Sequence, residues 1–479
     1  MRISKTHTAH LHPELQRALL GAFIHDLILS SFQSTQQIPL VMRKSPSANA
    51  PLSKLASTNA GSLPELIHVI LWEAFLSVAY PHRTYFDTDG RTSPDDLTTF
   101  LTTVTAVSRT WRAAGLREAK FWAVIEARWP SKQHRAWLER SRGVPLEIRG
   151  RLSDGPLEDD EDRPIFDSSD LIEVSNRWGT LILHDIDSNV FPDLFHTARE
   201  RPLPSLTTLQ LVGTTDWGHD PMEFGPVKER TDMYPALRNV NLQHVRLCHL
   251  RCLTTLVRME MENVYSDERV TAKEFFAHAP SLEVFKIAYA YFETDDEDVF
   301  SSEVVMAPSL HTLVLGCSVS LYFQSVALVL ANFPSLRTLY FVENRFQWRL
   351  PQNTALIEPR KALVALLNRT PLETLALEGS AKFLNDVLSK TIWNHPLNHS
   401  LQRLHLVVVE QRCTSREPLA HTILQLVDKP GCSLTHISIR GDGGLLDDVR
   451  DHLARGDGED EGKELSRPQV IVNAAKFVG

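Results

Sequence analysis

The residues of this chain best suited to chemistry lie in a few short clusters. His244, Cys248, His249 and Cys252 stand close enough for some of them to share a metal ion. A structural zinc site needs four ligands converging tetrahedrally, usually as two recognisable pairs. No second Cys/His pair follows here, so buried thiols in an apolar core are the expectation and no metal is assigned. The acidic runs Glu158 to Asp162, Asp295 to Asp298 and Gly456 to Glu461 lack the regular ligand spacing of a calcium loop, and read as solvated connections. A hydrolase using such loops, with Asp296 as its first candidate, is the reading from the enzyme class. Against it, the chain has no Gly-x-Ser-x-Gly elbow, P-loop, His-Glu-x-x-His or glycine-rich dinucleotide turn. Gly441-Asp442-Gly443-Gly444 lacks a basic cradle for phosphate. Neither catalytic residues nor a cofactor are expected, and the chain reads as no enzyme.

Composition points the same way. Of 479 residues 43% are hydrophobic and 23% charged, as in ordinary globular proteins, and the net charge is −9. An acidic chain of this kind argues against a general nucleic-acid or anionic-membrane binder. Five cysteines make no disulfide framework, and the longest apolar runs are too short to span a bilayer. Met1 to His10 lacks the order of a signal peptide, so a cytoplasmic and/or nuclear protein is expected.

The elements that would position any binding residues are legible in a repeat. Apolar residues recur at places one, four and six of a short string. It begins as Leu206-x-x-Leu209-x-Leu211, Leu237-x-x-Val240-x-Leu242 and Leu282-x-x-Phe285-x-Ile287. Strings starting at Leu310, Leu336, Leu372, Leu401 and Leu434 follow, at intervals of 31, 45, 28, 26, 36, 29 and 33 residues. The gap of 45 has room for a degenerate unit near Leu253, and Trp178 and Leu146 extend the pattern upstream. Pro204, Pro235, Pro280, Pro308, Pro334 and Pro371 precede strings and close what lies upstream, since proline cannot continue a helix. Helices are expected at Ala272 to His278, Ser325 to Asn332, Ala362 to Arg369 and Leu419 to Val427. Each unit then reads as helix, proline turn and short strand, and such units bury their apolar faces only by stacking.

The string resembles the leucine-rich repeat, with longer and uneven periods. That resemblance implies a horseshoe-like solenoid whose concave sheet carries places three and five of every string. The concave candidates for binding a protein substrate are Asn239, Asn241, Lys286, Thr312, Thr338, Tyr340, Arg403, His405 and His436. No Asp or Glu appears among the places assigned, so a neutral to mildly basic groove is expected, suited to a polar or acidic protein.

A second pattern precedes the repeats. Ser62 is a plausible N-cap, and Leu66, Ile67, Ile70, Leu71, Ala74 and Phe75 mark one helix face. A loop from Pro81 to Pro94 leads to a second helical stretch, Asp95 to Ala114, and then to Phe121-Trp122. Leu63-Pro64-x-Leu66, Val107-x-Arg109-x-Trp111 and the closing Trp122 resemble the F-box motif, here with Ser108 where the family often has Cys. The fold class implied is α/β, an N-terminal all-helical F-box-like module followed by an irregular leucine-rich-repeat solenoid. Its parts would be an amphipathic helix (1–33), a flexible linker (34–60), the helical domain (61–125), the solenoid (140–450) and an acidic, partly disordered tail (451–479).

The function implied is the substrate-recognition subunit of a Skp–cullin–F-box ubiquitin ligase. Leu63, Pro64, Leu66, Ile67, Ile70, Val104, Val107, Trp111 and Trp122 would dock the Skp adaptor and through it cullin. The competing reading is an adaptor-independent interaction scaffold in which those helices merely cap the repeats.

Overall fold

The computed structural model describes residues 68, 71–76, 94–151, 168–186, 192–213, 222–224, 233–247, 254–266, 272–292, 305–316, 331–343, 359–391, 400–409, 416–427, 433–441, 447, 451 and 469–474. Contacts divide the chain into two units, Met1–Glu126 with Arg135–Val144, and Ala127–His134 with Pro145–Gly479.

In the first unit, helices α1 (Pro94–Val107) and α2 (Arg109–Arg117) replace the single expected stretch. The break has a local cause. Ser108 is extended rather than helical, and its Oγ accepts the Trp111 backbone N–H at 3.2 Å, which caps α2. A 3-10 turn, Ala119–Trp122, then drives Phe121 and Trp122 inward. Phe75 meets Phe121 and Phe100 with ring centroids 4.9 and 6.3 Å away, while the Trp122 indole N–H donates to the Gly115 carbonyl at 3.0 Å. Trp122 also packs edge-on against Trp137 at 4.8 Å, with the Arg140 guanidinium over its ring.

The second unit is built on twelve parallel strands whose order in space follows their order in sequence. They are β1 (Leu146–Arg151), β2 (Trp178–Ile186), β3 (Thr208–Gly213), β4 (Asn239–Gln243), β5 (Arg258–Glu262) and β6 (Val284–Ala288). The rest are β7 (Thr312–Leu315), β8 (Thr338–Val342), β9 (Thr374–Gly379), β10 (Arg403–Val408), β11 (His436–Gly441) and β12 (Gln469–Ala474). The repeat string sets the register. Leu313 of β7 stands level with Phe285 of β6 and Leu339 of β8, and Leu315 with Ile287 and Phe341. Places one, four and six are buried on rung after rung, which is where most of the stabilisation from apolar burial lies.

Proline acts just ahead of these strands. The N–H groups of Leu206, Leu237, Leu282, Leu310 and Leu336 donate to the carbonyls of Leu203, Tyr234, Ala279, Ala307 and Phe333, three residues back. Each bond closes a β-turn with proline at its second position, where the fixed φ is pre-organised. The residue opening each turn is buried, so the turn is pinned at both ends.

Several expectations differ from the structure. The architecture is not a helical module followed by a leucine-rich-repeat horseshoe, but an α/β structure dominated by one all-parallel sheet with a few helices. The string dictates a strand with inward apolar side chains, and the connection is free to be something else. Helices appear as α3 (Ser131–Arg140), α4 (Ser169–Glu173), α5 (Pro192–Glu200), α6 (Ala272–His278), α7 (Pro359–Arg369), α8 (Ala381–Thr391) and α9 (Arg416–Val427). Between β3 and β7 short strands also intervene, Met222–Phe224, Val245–Leu247, Tyr265–Ser266 and Tyr291–Phe292 forming a second parallel sheet. Of the helix expected over Ser325 to Asn332, only Ala331–Asn332 lies within the described residues, and it is a strand paired with Val305–Met306. Contacts group the strand Val124–Glu126 and residues Arg135–Val144 with the first unit.

Two further differences concern rungs. The degenerate unit starts at Leu256, with Met259 and Met261 at places four and six, and forms β5. A further rung, β12, pairs with β11 inside the expected acidic tail. The N-terminal helix at 1–33 and the linker at 34–60 lie outside the described residues.

Candidate functional site

Strand alternation sends places three, five and seven to the face opposite the buried leucines. Helices pack on the buried side: Phe275 and Phe276 of α6 lie 4.8 and 5.7 Å from Phe285, and Phe383 of α8 stacks on Phe341 at 5.8 Å. The candidate binding residues lie on the other face.

That face changes character along the sheet. On β3 and β4 it is closed: Thr208, Gln210 and Asn241 are buried, Asn241 to 2% exposure, and the Asn239 amide donates to Thr208 Oγ1 at 3.3 Å. Asn241 therefore offers almost no surface to a partner and leaves the candidate set. On β5 and β6 the face becomes charged. Glu260 lies between Arg258 at 2.5 Å and Lys286 at 3.0 Å. The expectation of a face without carboxylates fails at this point, because the rung carrying Glu260 was misregistered. On β7 and β8 the half-buried Thr312, Val314, Thr338 and Tyr340 follow, and the Tyr340 hydroxyl donates to Glu378 at the end of β9. Across the strand starts, His311 and Glu283 stand 3.3 Å apart and Arg337 and Glu373 2.9 Å apart.

The last rungs are cationic. Arg403 and His405 on β10 stand level with His436 and Ser438 on β11, and Arg440 lies one place further along. Arg403 and Arg440 are exposed, and the two imidazoles lie 5.9 Å apart. Burial, followed by repulsion from His436 and Arg403, pushes the His405 pKa below its ordinary value. The sequence reading had picked out Arg403, His405 and His436 but missed Arg440, which occupies place seven, a position the string left unassigned.

Of the adaptor candidates, Leu63, Pro64, Leu66, Ile67 and Ile70 lie outside the described residues. Val104 and Trp122 are core residues, at 5% and 3% exposure. Val107, at the end of α1, is 40% exposed, and Trp111 on the first turn of α2 is half-buried. Those two keep a surface that a partner can reach.

His244 ends β4 with a left-handed backbone (φ 54°), and its Nε2 lies 3.4 Å from the Asn263 amide nitrogen. Burial lowers its pKa, with Glu262 pulling the other way. Cys248, His249 and Cys252 lie outside the described residues, as do the three acidic runs and Asp296. Among the described residues no group of three or more His, Cys, Asp or Glu is placed to hold a metal ion, and no helix is long and apolar enough to cross a membrane. No protein-family model matches the chain, and no curated protein matches it.

Proposed function

We propose that this chain is a non-catalytic recognition subunit that binds a protein across the open face of its parallel sheet and docks a Skp-type adaptor through its N-terminal residues. The observation that carries the reading is the row of half-exposed, chemically varied side chains on β5 to β11, opposite a uniformly apolar buried face. A merely solvated face would not need the change from sealed amides to ion pairs to free cations along the sheet. Lys286, Thr312, Thr338, Tyr340, Arg403, His405 and His436 present the reachable edges, and Asn239 flanks them. Adaptor docking rests on the F-box-like pattern and on the exposed Val107 beside Trp111.

The test is a titration of the full chain with the Skp adaptor. Val107→Glu is expected to weaken binding at least tenfold while leaving thermal unfolding nearly unchanged, since exposed substitutions cost little stability. Trp111→Ala should weaken it as well. No binding by a well-folded wild type removes the ubiquitin-ligase role and leaves the scaffold reading, whose own test is partner capture by the sheet face.

A further inference from the structure

Among the described residues, the face of β10 and β11 carries Arg403, His405, His436 and Arg440 with no carboxylate in ion-pair contact with any of them. Elsewhere on the same sheet the charges are matched: Arg258 and Lys286 share Glu260, and Arg337 meets Glu373. The cationic end is therefore a local departure in a chain whose net charge is −9. Arg403 and Arg440 lie on adjacent rungs with two imidazoles on the same face, and positive charge without a matching anion is stabilised when anionic groups bind to it.

We infer that the β10–β11 end of the open face is the docking surface for a carboxylate-rich segment of a partner protein, with Arg403 and Arg440 as charged anchors, His436 as a polar contact between them and His405 as a further anchor recruited at acidic pH. The inference rests on the protein-binding reading of the sheet and specifies its chemistry. Side chains at places three, five and seven stand two residues apart along each strand. An extended acidic segment laid along this face thus meets cationic groups on two neighbouring rungs.

The groups facing His405 are few. On β10 they include Arg403. On β11 they are His436, Ser438 and Arg440, and on β9 they are Thr374, Ala376 and Glu378, whose carboxylate accepts from Tyr340. Partial burial and the neighbouring cations hold His405 neutral at pH 7. A bound carboxylate favours its protonated form, so by linkage the segment binds more tightly as the pH falls.

The probe is a fluorescein-labelled peptide of alternating Glu and Gly, twenty residues long, titrated against the full chain at low ionic strength beside its Gln/Gly counterpart. The Glu peptide should bind and the Gln peptide should not, and affinity should rise about tenfold from pH 7.5 to 5.5. Arg403→Gln/Arg440→Gln should weaken binding about tenfold at every pH. His405→Gln should abolish the rise while retaining binding at pH 7.5. Lys382→Gln, on an exposed position of α8, should change nothing. Equal binding of both peptides, no binding by wild type, or indifference to the arginine pair overturns the inference. So does tighter binding of a single-stranded oligothymidine, which would make the surface one for nucleic acid. Adaptor binding is measured separately, so loss of peptide binding with the adaptor still bound sinks this inference and leaves adaptor docking standing.

Discussion

A methyl group on Gly213, the last residue of β3, would lie 2.3 Å from the His244 carbonyl oxygen. His244 ends the next rung in a left-handed conformation, as Asn263 and Tyr289 do at the same place on the two rungs after it. These corners redirect the chain from the main sheet into the short strands beyond it. Because the obstructing atom is backbone, Gly213→Ala cannot be relieved by a side-chain rotation. We expect it to lower stability by about 1–3 kcal/mol, read as a lower urea midpoint at unchanged slope. Ser108 makes a milder case. Losing the hydroxyl that caps α2 should cost roughly 0.5–2 kcal/mol in Ser108→Ala, whereas Ser108→Asp should retain most of the stability. Both effects depend on one residue's immediate neighbours. Of the two, only the serine is visible as a capping residue type in the sequence, and even there the helix break was not foreseen.

Along an element, the two faces of a strand carry different duties. On β7, Leu313 is fully buried and Val314 half-exposed. Leu313→Ala should destabilise the second unit by about 2–5 kcal/mol. Val314→Ala should cost well under half of that, and thermal unfolding of the two variants separates them. The inward positions were legible because places one, four and six repeat with few exceptions. The rung at β5 escaped because methionine replaces the usual branched residues at two of its three apolar places. Methionine fills such a core slot equally well, so folding tolerates a change that a pattern search does not. That one misregistered rung also hid Arg258 and Glu260, and with them the ion-pair cluster at the middle of the open face. The helices were partly legible. α6 was placed at its observed ends and α7 and α9 to within a few residues, while the short strands in the central connections have too few residues to show a period.

For the molecule as a whole, pH is the variable that reports on half-buried imidazoles. The pKa values of His244 and His405 are lowered, chiefly by burial. The folded state therefore takes up protons less readily than the unfolded state. Their neutral forms keep stability intact above the ordinary histidine pKa of about 6.5, and stability is lost as the pH falls below it. The melting temperature should drop between pH 7.5 and 5.5, and the drop should shrink in His244→Asn and in His405→Gln. A drop of unchanged size in both variants would place the acid sensitivity elsewhere. The amino-acid sequence by itself determined most of the rungs and the turns ahead of them, because period and proline act through contacts a few residues apart or between similar neighbours. Only the tertiary structure decided which connections are helical, that Asn241, Val104 and Trp122 are buried, and that Arg440 joins Arg403, His405 and His436 on one surface. Those outcomes depend on what lies across from a residue, and the strand opposite is set by connections whose length and shape follow no repeat.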